Sequence, residues 1–82
     1  MANQKHIDTM KDVLNQMGIE DIQDGGELLA NMAAKECLFN AEDNAIDILK
    51  ARVAFYKLWP FEDTTLDMVR HNGRLHFGIL IH

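Results

Sequence analysis

The sequence predicts an α+β fold in which three helices are followed by a C-terminal antiparallel β-hairpin. Apolar residues recur at helical spacing before residue 60, and they alternate with polar residues after residue 63. Asn72–Gly73 lies between two alternating segments, and this dipeptide is typical of a tight hairpin turn because both of its positions adopt positive φ. A chain of 82 residues is short enough to form one small domain, residues 1–82.

The first helix is predicted over residues 4–17. Its buried stripe recurs at steps of three and four and consists of Ile7, Met10, Leu14 and Met17. Gly18 suits the left-handed residue that ends a helix, and Ile19 is then expected to contact Leu14.

A second helix is predicted over residues 26–38 and a third over residues 41–58, with Asn40 as the N-cap between them. The third helix is expected to end at Leu58, because a residue that precedes proline, here Trp59, is disfavoured in the α region. An alternative is one long helix over residues 26–58, since the apolar positions stay in one helical phase across the whole segment.

The third helix is apolar on more than one side. One stripe is expected to face the core and consists of Ile46, Leu49, Val53 and Tyr56, while a second set lies away from it and consists of Ile48, Phe55 and Trp59. A helix that is apolar over so much of its circumference is either central in the fold or shared with another chain.

The hairpin is predicted over residues 64–71 and 74–81, so that Thr64 faces Ile81 and Val69 faces His76. This register predicts an apolar face made of Thr64, Leu66, Met68, Arg70, Leu75, Phe77, Ile79 and Ile81. The apolar C-terminal strand is expected to be an exposed edge, and such an edge pairs readily with another strand. We therefore predict a homodimer in which two hairpins join edge to edge.

Charge is distributed unevenly along the chain, whose net charge is −5. Residues 1–47 hold ten acids and three lysines, or −7, and residues 48–82 hold three acids and five basic residues, or +2. An acidic balance disfavours binding to nucleic acid or to an anionic membrane. With one cysteine, no signal peptide and no membrane-spanning apolar run, we expect a cytoplasmic protein.

The polar face of the hairpin holds the strongest candidate for chemistry. His71 and Asp67 lie diagonally from His76 in the predicted register, and imidazole and carboxylate groups are suitable Zn²⁺ ligands and acid–base catalysts. The expected position is an open strand surface, however, whereas binding sites are concave. We therefore predict no catalytic, cofactor or metal site and no enzymatic activity.

These features favour a small, acidic, non-enzymatic interaction protein, such as an adaptor, an inhibitor or a regulatory subunit, that docks onto another protein as a homodimer. The residues predicted to bind a partner are Phe55, Trp59, Phe61, Arg70, Arg74, Ile79 and Ile81, although the segment Trp59–Phe61 also suits a core position. One alternative is a winged-helix-like DNA-binding regulator, from the order of three helices and a hairpin. Another is an oligomer that binds a small molecule or nucleotide between its protomers.

Overall fold

The computed structural model describes residues 4–24, 36–42 and 46–82, with only the backbone described at Glu36 and Cys37. In chain order the elements are α1 (Gln4–Gln16), β1 (Gln23–Asp24), β2 (Glu36–Glu42), α2 (Ile48–Leu58), β3 (Thr64–His71) and β4 (Arg74–Ile81). The strands form one antiparallel sheet in the order β1-β2-β4-β3. The α+β class is confirmed, but the described residues form two helices and four strands.

Both helices pack on one face of the sheet. Residues that pair directly across strands share a face, and Phe39, Phe77 and Met68 make such a row across β2, β4 and β3. These three side chains belong to the same buried cluster as Leu14 of α1 and Phe55 of α2. The protein is therefore a two-layer arrangement with its core between the helices and this face.

Helix α1 ends as its sequence predicts. Gly18 has φ of 81°, the Gly18 amide donates to the Asn15 carbonyl at 3.0 Å, and the Ile19 amide donates to the Leu14 carbonyl at 3.1 Å. These two hydrogen bonds define the Schellman ending, which satisfies carbonyls that the last helical turn leaves free.

The hairpin also has the predicted register, with Thr64 opposite Ile81 and Val69 opposite His76. Asn72 and Gly73 have φ of 52° and 72°, as a type I′ turn requires.

The predicted helix pattern between residues 26 and 58 is correct only for its last part, Ile48–Leu58, and is wrong at Glu36–Glu42. Residues 36–42 form β2, so neither a helix over residues 26–38, nor a helix starting at residue 41, nor one helix over residues 26–58 exists as predicted. Residues 25–35 and 43–45 lie outside the described part of the chain. The physical reason is an alternation that places Phe39 and Ala41 in the core and pairs them with Phe77 and Leu75, because packing on a sheet outweighs local helix propensity.

The N-cap of α2 is Asp47, not Asn40. The Asp47 carboxylate accepts hydrogen bonds from the amides of Leu49 and Lys50 at 3.0 and 3.2 Å. A carboxylate at this position also interacts favourably with the helix dipole. The other end is as predicted, since α2 stops at Leu58, one residue before the Trp59–Pro60 step.

The prediction that β4 is an exposed edge strand is also wrong. β4 is a central strand, hydrogen-bonded to β2 on one side and to β3 on the other, so the four-stranded sheet forms within one chain. The long strand at the edge is β3, and two of its outward amides already have acceptors. The Leu66 amide donates to the Tyr56 hydroxyl at 2.7 Å, and the Met68 amide donates to the Asp67 carboxylate at 3.1 Å. These contacts disfavour pairing of β3 with another strand.

Candidate docking surface

The two sides of α2 differ from the sequence prediction. Ala51 and Phe55 are 8% and 0% exposed and face the core, whereas Leu49 and Val53 are 76% and 59% exposed and face solvent. The stripe that the sequence predicts to face the core therefore lies mostly on the outer side of the helix, and the side chains that face the core come from the second apolar set. The sequence does indicate which side of the helix is buried. Phe55 and Trp59 belong to the second set, and large aromatic side chains bury more surface than aliphatic ones.

Basic side chains surround the exposed apolar residues of α2. Lys50, Arg52 and Lys57 lie within the helix, and the segment Ile48–Leu58 contains no Asp or Glu. The salt bridges found in the described ranges join His6 to Asp63 and Lys11 to Asp24, and none involves the three cations of α2. This side of an acidic protein is consequently both apolar and positively charged.

A shallow groove follows the outer side of α2. One hollow of about 350 Å³ is lined by Leu49, Lys50, Val53, Ala54 and Lys57. A second hollow of about 340 Å³ lies between the end of α1 and the start of α2, and its lining includes Met17, Ile19 and Ile46. Lys50 and Ala54 line both hollows, so the two adjoin. We call this combined surface the α2 groove.

The aromatic segment after α2 lies largely in the core. The Trp59 ring stacks on Phe55 with centroids 4.9 Å apart and meets the edge of Phe61 at 5.0 Å. Its indole Nε1 donates to Thr64 Oγ1 at 2.7 Å, which satisfies the one polar atom of a side chain that is 8% exposed. The core interpretation of Trp59 is confirmed, and Phe61 is half-buried against the same cluster.

The seven residues that the sequence suggests for partner binding do not share one surface. Phe55, Trp59 and Ile79 lie in the core, Phe61 and Ile81 are half-buried, and the Arg70 guanidinium donates to the Ile46 carbonyl. Arg74 lies on the opposite face of the sheet, where its Nε donates to Asn40 Oδ1 at 3.0 Å. The exposed groove residues Leu49 and Val53 were not among those seven.

Two members of the predicted histidine cluster, His71 and His76, are neighbours on the polar face of the hairpin. The His71 and His76 rings lie with centroids 6.3 Å apart. His76 Nδ1 is buried without a hydrogen-bond partner among the described residues. The Asp67 carboxylate accepts from the Met68 amide, and His82 hydrogen-bonds to the Thr65 hydroxyl. Within the described ranges, no group of three or more His, Cys, Asp or Glu side chains is arranged to hold a metal ion.

Burial lowers the pKa of His76 below its usual value of 6.5, and the charges of His71 and Arg74 lower it further. A histidine that stays neutral when folded binds fewer protons than in the unfolded chain. The free energy of unfolding therefore decreases as the pH falls from the unfolded value of about 6.5 through the folded pKa.

We expect the His71→Gln variant to raise the pKa of His76 toward its usual value, because one of the groups that repel the imidazolium is removed. Titration of the imidazole Cε1 protons by NMR measures this pKa directly. Lys5→Glu, on the exposed side of α1, is the control and leaves the His76 titration unchanged. An unchanged His76 pKa in His71→Gln would show that the two rings do not interact.

Comparison with known proteins gives no family assignment. No family model matches the chain, and no curated protein or solved structure is significantly similar to it. In the part of the chain that the structure describes, no helix is both long enough and apolar enough to span a bilayer.

Proposed function

We propose that this chain is a small, non-enzymatic, cytoplasmic interaction protein that docks another protein into the α2 groove. The observation that supports the proposal most directly is the exposure of Leu49, at 76%, and of Val53, at 59%, beside Lys50 and Lys57. An exposed apolar surface surrounded by polar groups is typical of interaction sites. An adaptor, an inhibitor or a regulatory subunit would use such a surface without chemistry of its own.

Homodimerisation is the second mode of assembly to test. It has less support than the sequence alone suggested, because β4 is central and the outward amides of Leu66 and Met68 on β3 have acceptors within the chain. Packing of two α2 helices against each other would also bring the lysine side chains of one copy close to those of the other.

The winged-helix alternative loses its architectural basis. It requires three helices before the hairpin, but β2 occupies residues 36–42, where the second helix was to end and the third to begin. A wing would use the basic residues beside the hairpin turn, Arg70 and Arg74, but these lie on opposite faces of the sheet, because Arg70 pairs with Leu75 and Arg74 pairs with His71. Binding of a small molecule between protomers stays a prediction.

Photo-crosslinking from within the groove tests the proposed function. A photoreactive benzoylphenylalanine replaces Leu49 in the full chain, and the same group at Asn15, an exposed position of α1, is the control. We expect irradiation in the native host to give an adduct with a different protein from position 49 and not from position 15. An adduct only with a second copy, or the same adducts from both positions, would contradict the proposal.

A further inference from the structure

We propose that the partner in the α2 groove presents an acidic amphipathic helix. This inference rests on the proposed function and specifies the chemistry of the partner. An amphipathic helix in a groove is a recurring mode of recognition in which apolar side chains at positions i, i+3 or i+4, and i+7 provide the anchors.

The spacing of the groove residues suits such an occupant. Leu49 and Val53 are one helical turn apart, or about 6 Å along the axis at 1.5 Å per residue. Lys50 and Lys57 are two turns apart, or about 10 Å on the same scale. A helix lying along α2 would therefore place two apolar side chains one turn apart on Leu49 and Val53, and two acidic side chains about two turns apart beside them. Ala54, between the two lysines, leaves room for the occupant to approach.

The charge of α2 selects against a second copy of the chain. If two α2 helices packed antiparallel about a two-fold axis near Val53, Lys50 of each copy would lie close to Lys57 of the other. Ile48–Leu58 contains no acid, and the carboxylate of the N-cap Asp47 already accepts hydrogen bonds from the Leu49 and Lys50 amides, so it offsets this repulsion only in part. An acidic partner instead gains attraction at both positions, and complementary charge of this kind determines which partners bind.

An anionic membrane also attracts lysine side chains but fits the surface less well. The α2 groove is shallow over Leu49 and Val53, but it includes a hollow between the end of α1 and the start of α2 that an inserted side chain could enter, lined in part by Met17 and Ile19. A flat bilayer faces much more of the protein surface than one helix does, so the net charge of −5 opposes a negatively charged bilayer more than an acidic helix that contacts the groove alone.

The test uses two synthetic peptides of 18 residues, labelled with fluorescein, as probes. Both carry the same leucine stripe at helical spacing, and the flanking positions are glutamate in one peptide and lysine in the other. Fluorescence anisotropy with the full chain is expected to show binding of the glutamate peptide at low salt. Higher salt is expected to weaken this binding, because exposed ion pairs are screened over about 8 Å at physiological ionic strength.

Three variants separate the contribution of charge to peptide binding from that of apolar contact. Lys50→Glu is expected to weaken binding of the glutamate peptide about tenfold and to strengthen binding of the lysine peptide. The matched control Lys5→Glu, which changes the net charge equally on exposed α1, leaves both affinities unchanged. Leu49→Ser, which removes an apolar anchor, is expected to weaken binding of the glutamate peptide.

The outcomes separate this inference from the proposed function. Equal binding of both peptides, or no binding of either together with a heterologous adduct from position 49, overturns the acidic helix and leaves the docking function standing. No binding of either peptide and no such adduct overturns both. Binding to phosphatidylserine vesicles, but not to phosphatidylcholine vesicles, that is lost in Lys50→Glu would identify a lipid surface as the occupant and overturn the inference.

Discussion

Phe55→Ala is expected to remove a large part of the stability of this protein, whereas Leu49→Ala is expected to leave it almost unchanged. Both side chains belong to α2, but Phe55 is 0% exposed and Leu49 is 76% exposed. Phe55 also stacks on Trp59 and meets the edge of Tyr56 at 5.5 Å, so the truncation leaves a cavity inside an aromatic cluster. Such truncations cost about 3–5 kcal/mol, against a total stability of about 5–15 kcal/mol.

Leu49→Ala is the matched control, because it is a large-to-small change on the same helix. Alanine is the better helix former, and surface substitutions usually change stability by less than about 0.5 kcal/mol. Urea unfolding followed by far-UV circular dichroism measures both variants. The opposite order, with Leu49→Ala the more destabilising, would restore the helix phase that periodicity alone predicts and would bury the α2 groove.

The sequence was sufficient to predict the hairpin turn and the ends of both helices, but not β2 or the buried side of α2. The Asn72–Gly73 turn and the Gly18 ending depend on the few residues at each site that favour positive φ. Their geometry is therefore determined locally, and the sequence was sufficient to predict both. The end of α2 before Pro60 is local in the same sense.

β2 was not predicted because its stability comes from distant residues. Phe39 and Ala41 pair with Phe77 and Leu75, which lie more than thirty positions away in the sequence, and they share their buried cluster with α1. The segment also contains a register shift between Glu36 and Phe39, which interrupts the alternation that identifies a strand. Only the short run Phe39–Glu42 retains a two-residue period.

The candidate surface was missed for a related reason. Periodicity showed that α2 is apolar on two sides, but the choice of the buried side depends on what the helix packs against. Once the sheet presents Phe77 and Met68 to the helices, the large rings of Phe55 and Trp59 fill that space. The smaller side chains of Leu49 and Val53 then remain outside, beside the lysines.

Phe77→Ala tests the central position of β4, which distinguishes the structure from an isolated hairpin. Phe77 lies between Phe39 of β2 and Met68 of β3 and is 0% exposed, so its removal opens a cavity beneath three strands. We expect a loss of about 3–5 kcal/mol, a large part of the roughly 5–15 kcal/mol that stabilises a folded domain. Leu80→Ala, on the opposite face of the same strand and 37% exposed, serves as the matched control and is expected to cost less than about 1 kcal/mol.

The decisive measurement is amide hydrogen exchange in Phe77→Ala and in the wild-type chain. Because Phe39 and Phe77 pair directly, loss of the ring is expected to accelerate exchange in β2 as well as in β3 and β4. Faster exchange in β3 and β4 with unchanged protection of β2 would show that β2 does not depend on this row of the core. In that case the Phe77 ring would stabilise the hairpin by packing on α1 and α2, and it would contribute nothing to the neighbouring strand β2.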